Sequence, residues 1–210
     1  RYSTGGGYGG DKGIMAMGYS GGPSGVGYTG ISNLISSEGV VASDTSKPGS
    51  VTGRAQPMLC PFGLENSNIL IAYGNTPAAQ NMSNIVNTEG VIGADITGVG
   101  TAKGGGAACR YSEGLGVIAY GTGVAPAPYY NNSNKVNISG VVATDTTGVG
   151  TARYGTAALG YGGDKGIFAF GATSVSLGIS NLVNTSGVIS SDVGAVGTAR
   201  RNVGGVGIGT

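Results

Sequence analysis

The chain has no histidine and no tryptophan, only two cysteines, and charged residues at just 10% of its 210 positions. Without histidine, neither a Ser-His-Asp nor a Cys-His nucleophile system can be assembled, and the commonest general base and metal ligand are missing. Eleven basic residues stand against ten acidic ones, a formal net charge of +1 that leaves no basic stripe for a phosphate backbone. Nucleic acid is therefore not an expected partner. No apolar run reaches the length of about 18 residues that a membrane-spanning helix requires, so no membrane partner is expected either. What is abundant is glycine, 45 residues of it. A collagen triple helix would need glycine at every third position, which the sequence does not show. Disorder is disfavoured by 40% hydrophobic residues. The composition points to a non-catalytic protein without cofactor or metal, in one domain spanning 1–210.

A repeat organises the chain. Four copies run 1–53, 54–102, 103–152 and 153–199, and residues 200–210 (RRNVGGVGIGT) begin a further one with its first strand. Each copy opens on a basic residue (Arg1, Arg54, Lys103, Arg153, then Arg200) followed by a segment of small residues. A tight turn, GGDKG in copies one and four, leads to an apolar strand closed by a large residue and glycine: IMAMG, ILIAYG, VIAYG, IFAFG. After a variable stretch come a Ser-Asn pair, a Gly-Val pair and an aspartate (Asp44, Asp95, Asp145, Asp192). Short segments rich in valine, isoleucine, tyrosine and threonine between Gly, Asn and Asp turn signals read as strands. Four strands in about 50 residues is the arithmetic of a β-propeller blade, with the small first segment suited to a crowded inner strand. A β-solenoid or fibre repeat is the alternative. Four copies and one strand make neither a four- nor a five-bladed ring, and the chain begins at Arg1, so it is read as processed or as a section of something longer, or as part of a homo-oligomer.

The order basic residue, small strand, turn, apolar strand and aromatic-Gly resembles the Kelch repeat. It is more similar still to Kelch-like glycine-rich repeats of bacteriophage tail-fibre or appendage proteins, as in the stretch GVVATDTTGVGTARYGTAALGYGGDKGIFAFG from Gly140 to Gly171. The chain departs from Kelch in having no tryptophan on the outer strand and one glycine after the aromatic, and no actin- or ubiquitin-ligase-type role is carried over. The resemblance implies an extracellular, virion-surface location and a structural and receptor-recognition role. The partners would be host surface glycan or protein and other virion or fibre subunits. A purely architectural subunit without ligand is the alternative, and a glycan-active enzyme the second.

The recurring aspartates, eight to ten residues before the next basic residue, suggest a structural frame of Asp–basic pairs stitching one blade to the next: Asp44, Asp95, Asp145 and Asp192 with Arg54, Lys103, Arg153 and Arg200. A ring of calcium-binding carboxylates would need denser aspartate spacing. Cys60 and Cys109 occupy equivalent inner-strand positions and read as buried free thiols, with a disulfide as the alternative. The GGG runs lack the strand-loop-helix context of a phosphate cradle. In a four-strand meander the variable stretches emerge on one face. There Tyr19, Tyr28, Asn75, Gln80, Tyr129, Tyr130, Asn131 and Asn132 supply the flat rings and amides that suit glycans or a polar protein surface.

Overall fold

A computed structural model describes residues 3–22, 25–46, 51–123 and 128–207. Arg1, which opens the first repeat, lies outside the described residues, as do positions 23–24 and 124–127 of two variable stretches and positions 208–210. Among the described residues there is no α-helix, and the strands form four three-stranded antiparallel sheets. They are β1 (Thr4–Tyr8), β2 (Lys12–Gly22) and β3 (Gly25–Ile35); β4 (Met58–Phe62), β5 (Asn68–Thr76) and β6 (Ala78–Val86); β7 (Ala107–Ser112), β8 (Leu115–Thr122) and β9 (Tyr129–Val136); β10 (Ala157–Tyr161), β11 (Lys165–Ala169) and β12 (Ser180–Val183). Each sheet comes from one sequence repeat, and strands are hydrogen-bonded in chain order.

The expected fourth strand does not form as a strand. Its segment touches the third strand at two isolated bridges per repeat, for example Ser83 with Ile96 and Val86 with Ile92. The reason lies in a turn. Asn87 Oδ1 accepts the backbone N–H groups of Glu89 and Val91, and Gly90 (φ 82°) reverses the chain. Beyond the aspartate the glycine-rich tail leaves the sheet and crosses to the next one. The segment 203–207 likewise carries no strand pairing.

The middle strand is bulged at the same place in the first three sheets, between Ala16 and Gly18, Ala72 and Gly74, and Ala119 and Gly121. The intervening large residue is left-handed (Met17 φ 58°, Tyr73 φ 58°, Tyr120 φ 63°), and Phe170 (φ 60°) matches it in the fourth sheet. That conformation is costly for a bulky residue. Burial repays it, since Met17, Tyr73 and Tyr120 are fully enclosed and the two tyrosines donate hydrogen bonds to the Val99 and Val149 carbonyls.

Successive sheets pack through the first strands, β1 on β4, β4 on β7 and β7 on β10. Alternate inner-strand side chains are buried between sheets: Met58, Cys60 and Phe62 on β4, and Ala107, Cys109 and Tyr111 on β7. They meet glycines of the following sheet. Cys60 Sγ lies over Gly116, where an added Cβ would overlap it, and a Cβ on Gly166 would come within 2.6 Å of Cys109 Sγ. Tyr8, Phe62 and Tyr111 pack on the turn glycines Gly90, Gly140 and Gly187. Both cysteines are free and buried, and desolvation pushes both thiols up, Cys109 to about 12. Gly116→Ala is therefore expected to lower stability by about 1–3 kcal/mol through overpacking, and Cys60→Ala in the same chain should recover most of that loss. Urea denaturation of the two single variants and the double variant measures the coupling, and strictly additive losses would contradict the contact.

Candidate functional site

Every repeat after the first carries a buried cation in a polar nest. Arg54, Lys103 and Arg153 are each 0% exposed. Arg54 Nη2 donates to Asn84 Oδ1 (2.6 Å) and to the Ile71 carbonyl, with Nη1 at 3.7 Å from Asp95. Arg153 donates to Asn181 Oδ1 (2.8 Å) and to the Phe170 and Thr151 carbonyls, at 4.0 Å from Asp192. Lys103 Nζ donates to Asn134 Oδ1 (3.1 Å) and to both the carbonyl and Oδ1 of Asn132. Each asparagine in turn donates to the aspartate of its own repeat: Asn84 to Asp95, Asn134 to Asp145, Asn181 to Asp192.

The partnership differs from the one that spacing suggests. Asp95 faces Arg54 of its own repeat, 41 residues earlier in the chain, and not Lys103, which follows it. Asp192 likewise faces Arg153 and not Arg200. The chain returns at the end of each three-stranded sheet to where it entered, which brings the repeat's own basic residue and aspartate together. Two other groups make the stitch between repeats. Thr52, Thr101 and Thr151 donate their backbone N–H and hydroxyl to Asp95, Asp145 and Asp192 of the following repeat. The basic residue also lies over the bulge aromatic of the preceding repeat: Lys103 over Tyr73, Arg153 over Tyr120 (4.0 Å), Arg200 over Phe170 (4.0 Å). The recurrence of threonine two residues before each basic residue, in TGR, TAK and TAR, is the sequence signal for this role.

Burial depresses Arg54 to about 10 and Lys103 to about 8, with the nearby aspartate opposing in each case. Burial raises the three aspartates, but hydrogen bonds from threonine and asparagine and the nearby cation outweigh it and hold them below the usual range. Among the described residues no group of three or more His, Cys, Asp or Glu is placed to hold a metal ion.

In the first three repeats the described parts of the variable stretches extend the hairpins of the second and third strands, whereas in the fourth residues 172–179 form an irregular connection between β11 and β12 with a bridge between Ala172 and Ser176. Tyr19 and Tyr28 face each other across β2 and β3, rings 5.7 Å apart and edge-on. Asn75 and Gln80 lie on β5 and β6, and Tyr129, Tyr130, Asn131 and Asn132 on β9. The residues that enter each repeat are bridged to these hairpins (Ala55 to Asn75, Gly104 to Thr122, Tyr154 to Ala172). They are also joined to one another, since Gly105 N–H donates to the Gln56 carbonyl, Gly155 to Gly105 and Asn202 to Gly155. This collar places the hairpins at one common end.

Most of the amides there are already engaged. Asn131 donates to the Gly150 carbonyl, Asn132 holds Lys103, Asn75 donates to Gln56 Oε1, and Gln80 to the Ala78 carbonyl. The exposed ring is Tyr129, which stacks on Tyr154 at 5.6 Å and 10° between planes, with Arg201 5.9 Å from the Tyr154 ring on the same end. Tyr154 was not singled out by sequence because it sits in the frame and not in a variable stretch. Separately, the four inner strands and residues 203–207 line one cavity of about 720 Å³, whose charged lining is Glu65, Arg110 and Lys165.

No family model and no curated protein matches the chain. The structure is similar to one solved as the structure of YjhT, with a TM-score of 0.70 over 98% of this chain and 73% of that one, at 8% identity. At that identity the likeness concerns the fold alone.

Lys103 generates a pH dependence. Its folded-state value near 8 lies below the unfolded value near 10.4, so between them the unfolded chain binds more protons and stability rises with pH. Lys103→Arg should remove that rise. Comparing urea midpoints of the two chains at pH 7 and 9.5 cancels the tyrosine contribution, and an unchanged difference between them would contradict a depressed Lys103.

Proposed function

We propose that this chain is a non-catalytic structural and recognition module of an extracellular assembly, a tail-fibre or virion appendage type of part, built as a β-propeller of Kelch-like blades. The propeller reading is supported by four like sheets whose first strands line a common cavity. Recognition is assigned to the hairpin end, and its partner to a host surface glycan or protein. The Tyr129–Tyr154 stack carries this reading. An exposed tyrosine held flat by a second ring is a preorganised apolar platform with a hydroxyl at its edge, and it loses little side-chain freedom on binding. The extracellular placement rests on the sequence resemblance.

A purely architectural subunit is favoured by a different observation. Asn75, Gln80, Asn131 and Asn132 spend their amide groups inside the repeat, which leaves fewer polar groups for a ligand than the sequence promises. The two readings part at Tyr129. On a glycan array and on host cells, Tyr129→Ala should weaken binding about tenfold or more, a typical hot-spot loss. Binding unchanged by Tyr129→Ala, or absent from the unaltered chain, would remove the recognition reading and leave the architectural one.

A further inference from the structure

Charge is divided between the two ends of the molecule. The chain has ten aspartates and glutamates. Asp44, Asp95, Asp145 and Asp192 belong to the repeat frame, where the last three accept from threonine and asparagine. The others, Asp11, Glu38, Glu65, Glu89, Glu113 and Asp164, sit between the first and second strands of a sheet or in the turn after the third. Antiparallel pairing puts both kinds of connection at the end opposite the hairpins of the second and third strands. The segments that build the hairpin end, 17–29, 73–82, 120–132 and 170–179, contain no aspartate or glutamate. Neither do the repeat entries beside them, 53–57, 103–106, 153–156 and 199–203.

The frame cations at that end are enclosed: Arg54, Lys103 and Arg153 are buried, each near a frame aspartate. Arg201 is different. It is exposed and forms no salt bridge among the described residues. Its guanidinium lies 5.9 Å from the centre of the Tyr154 ring, and Tyr154 stacks on the exposed Tyr129. An exposed ring, a second ring and a guanidinium thus stand together where the chain has no carboxylate. The repeat itself sets this orientation. Tyr154 follows Arg153 as Arg201 follows Arg200, and a sheet comes after Tyr154, yet its ring still turns back onto β9 of the preceding repeat.

We infer that the ligand of the hairpin end is a glycan bearing carboxylate groups: one sugar ring stacks on Tyr129 while a carboxylate of the same glycan chain pairs with Arg201. The inference rests on the recognition reading of Tyr129 and names the chemistry of its ligand. The apolar face of one sugar ring matches one tyrosine ring in size, whereas a protein partner needs about 800 Å² on each side. Charge then separates acidic glycans from neutral ones. A guanidinium offers parallel N–H donors that a carboxylate accepts as a pair. No carboxylate of the hairpin end competes for those donors or repels an anionic chain. The acidic residues of the opposite end disfavour the same chain there, so attachment is directed to one end of the molecule.

An array on which uronate-bearing polysaccharides stand beside their carboxyl-reduced forms tests this with the full chain. The acidic member of a bound pair should bind about tenfold or more tightly than the reduced one, and less tightly as salt is raised. Arg201→Gln should bring the acidic member down to the level of the reduced one and leave the latter unchanged, while Tyr129→Ala weakens both. Circular dichroism checks that both variants fold, and the paired comparison and its salt dependence need no variant. Equal binding to both members, lost in Tyr129→Ala, would overturn the carboxylate assignment and leave recognition standing. Binding to host cells that survives periodate oxidation of their glycans would make the partner a protein and overturn it equally. A chain that binds neither the array nor cells would remove the recognition reading and this inference together.

Discussion

A cation without water organises each repeat after the first. Placing a guanidinium or ammonium group where no solvent reaches it is costly unless every direction it faces offers an acceptor or a ring. Lys103 and Arg153 meet that requirement with an asparagine Oδ1, backbone carbonyls and a tyrosine face; Arg54 meets it only in part, its Nη2 bonding an asparagine Oδ1 and one carbonyl while its buried Nε and Nη1 have no hydrogen-bond partner. Those partners come from the middle strand, the third strand and the bulge of the preceding repeat. The left-handed bulge residue, the buried Ser-Asn pair and the aspartate are thus consequences of one demand. Satisfying the cation fixes where one sheet ends and the next begins.

Glycine serves the same geometry from the other side. Sheets that converge on a common cavity leave too little room for side chains on both partners at each level. One member is therefore reduced to hydrogen wherever the other is a thiol, an aromatic ring or an isoleucine. The excess of glycine is the mark of an interface repeated along the chain and not of low complexity. It also means that the sheets cannot slide relative to one another without overlap, which gives the hairpin end a rigid base.

The repeat and its β character were legible in the sequence because they depend on local signals. Turn glycines, β-branched segments and the recurrent basic residue stand at fixed offsets. The pairing of charges was not, because distance along the chain is a poor guide to distance in a meander. Asp95 is eight residues from Lys103 and 41 from Arg54, yet Arg54 is the one it faces. The fourth strand differs for a related reason: a short β-branched segment between turn signals reads as a strand, while the Asx turn and the glycine tail permit only two bridges. The candidate binding amides illustrate the limit most clearly. Asn131 and Asn132 look free in a stretch of varying sequence, but one bonds the Gly150 carbonyl and the other holds Lys103.

The claim on which the rest stands is that threonine and aspartate link one repeat to the next around the buried cation. A double-mutant cycle on Thr151→Val and Asp192→Asn, read by urea denaturation, measures that link across 41 residues of chain. A coupling energy of about 1 kcal/mol or more is predicted, as for a charge-assisted hydrogen bond that retains some solvent exposure. A coupling indistinguishable from zero would contradict the account.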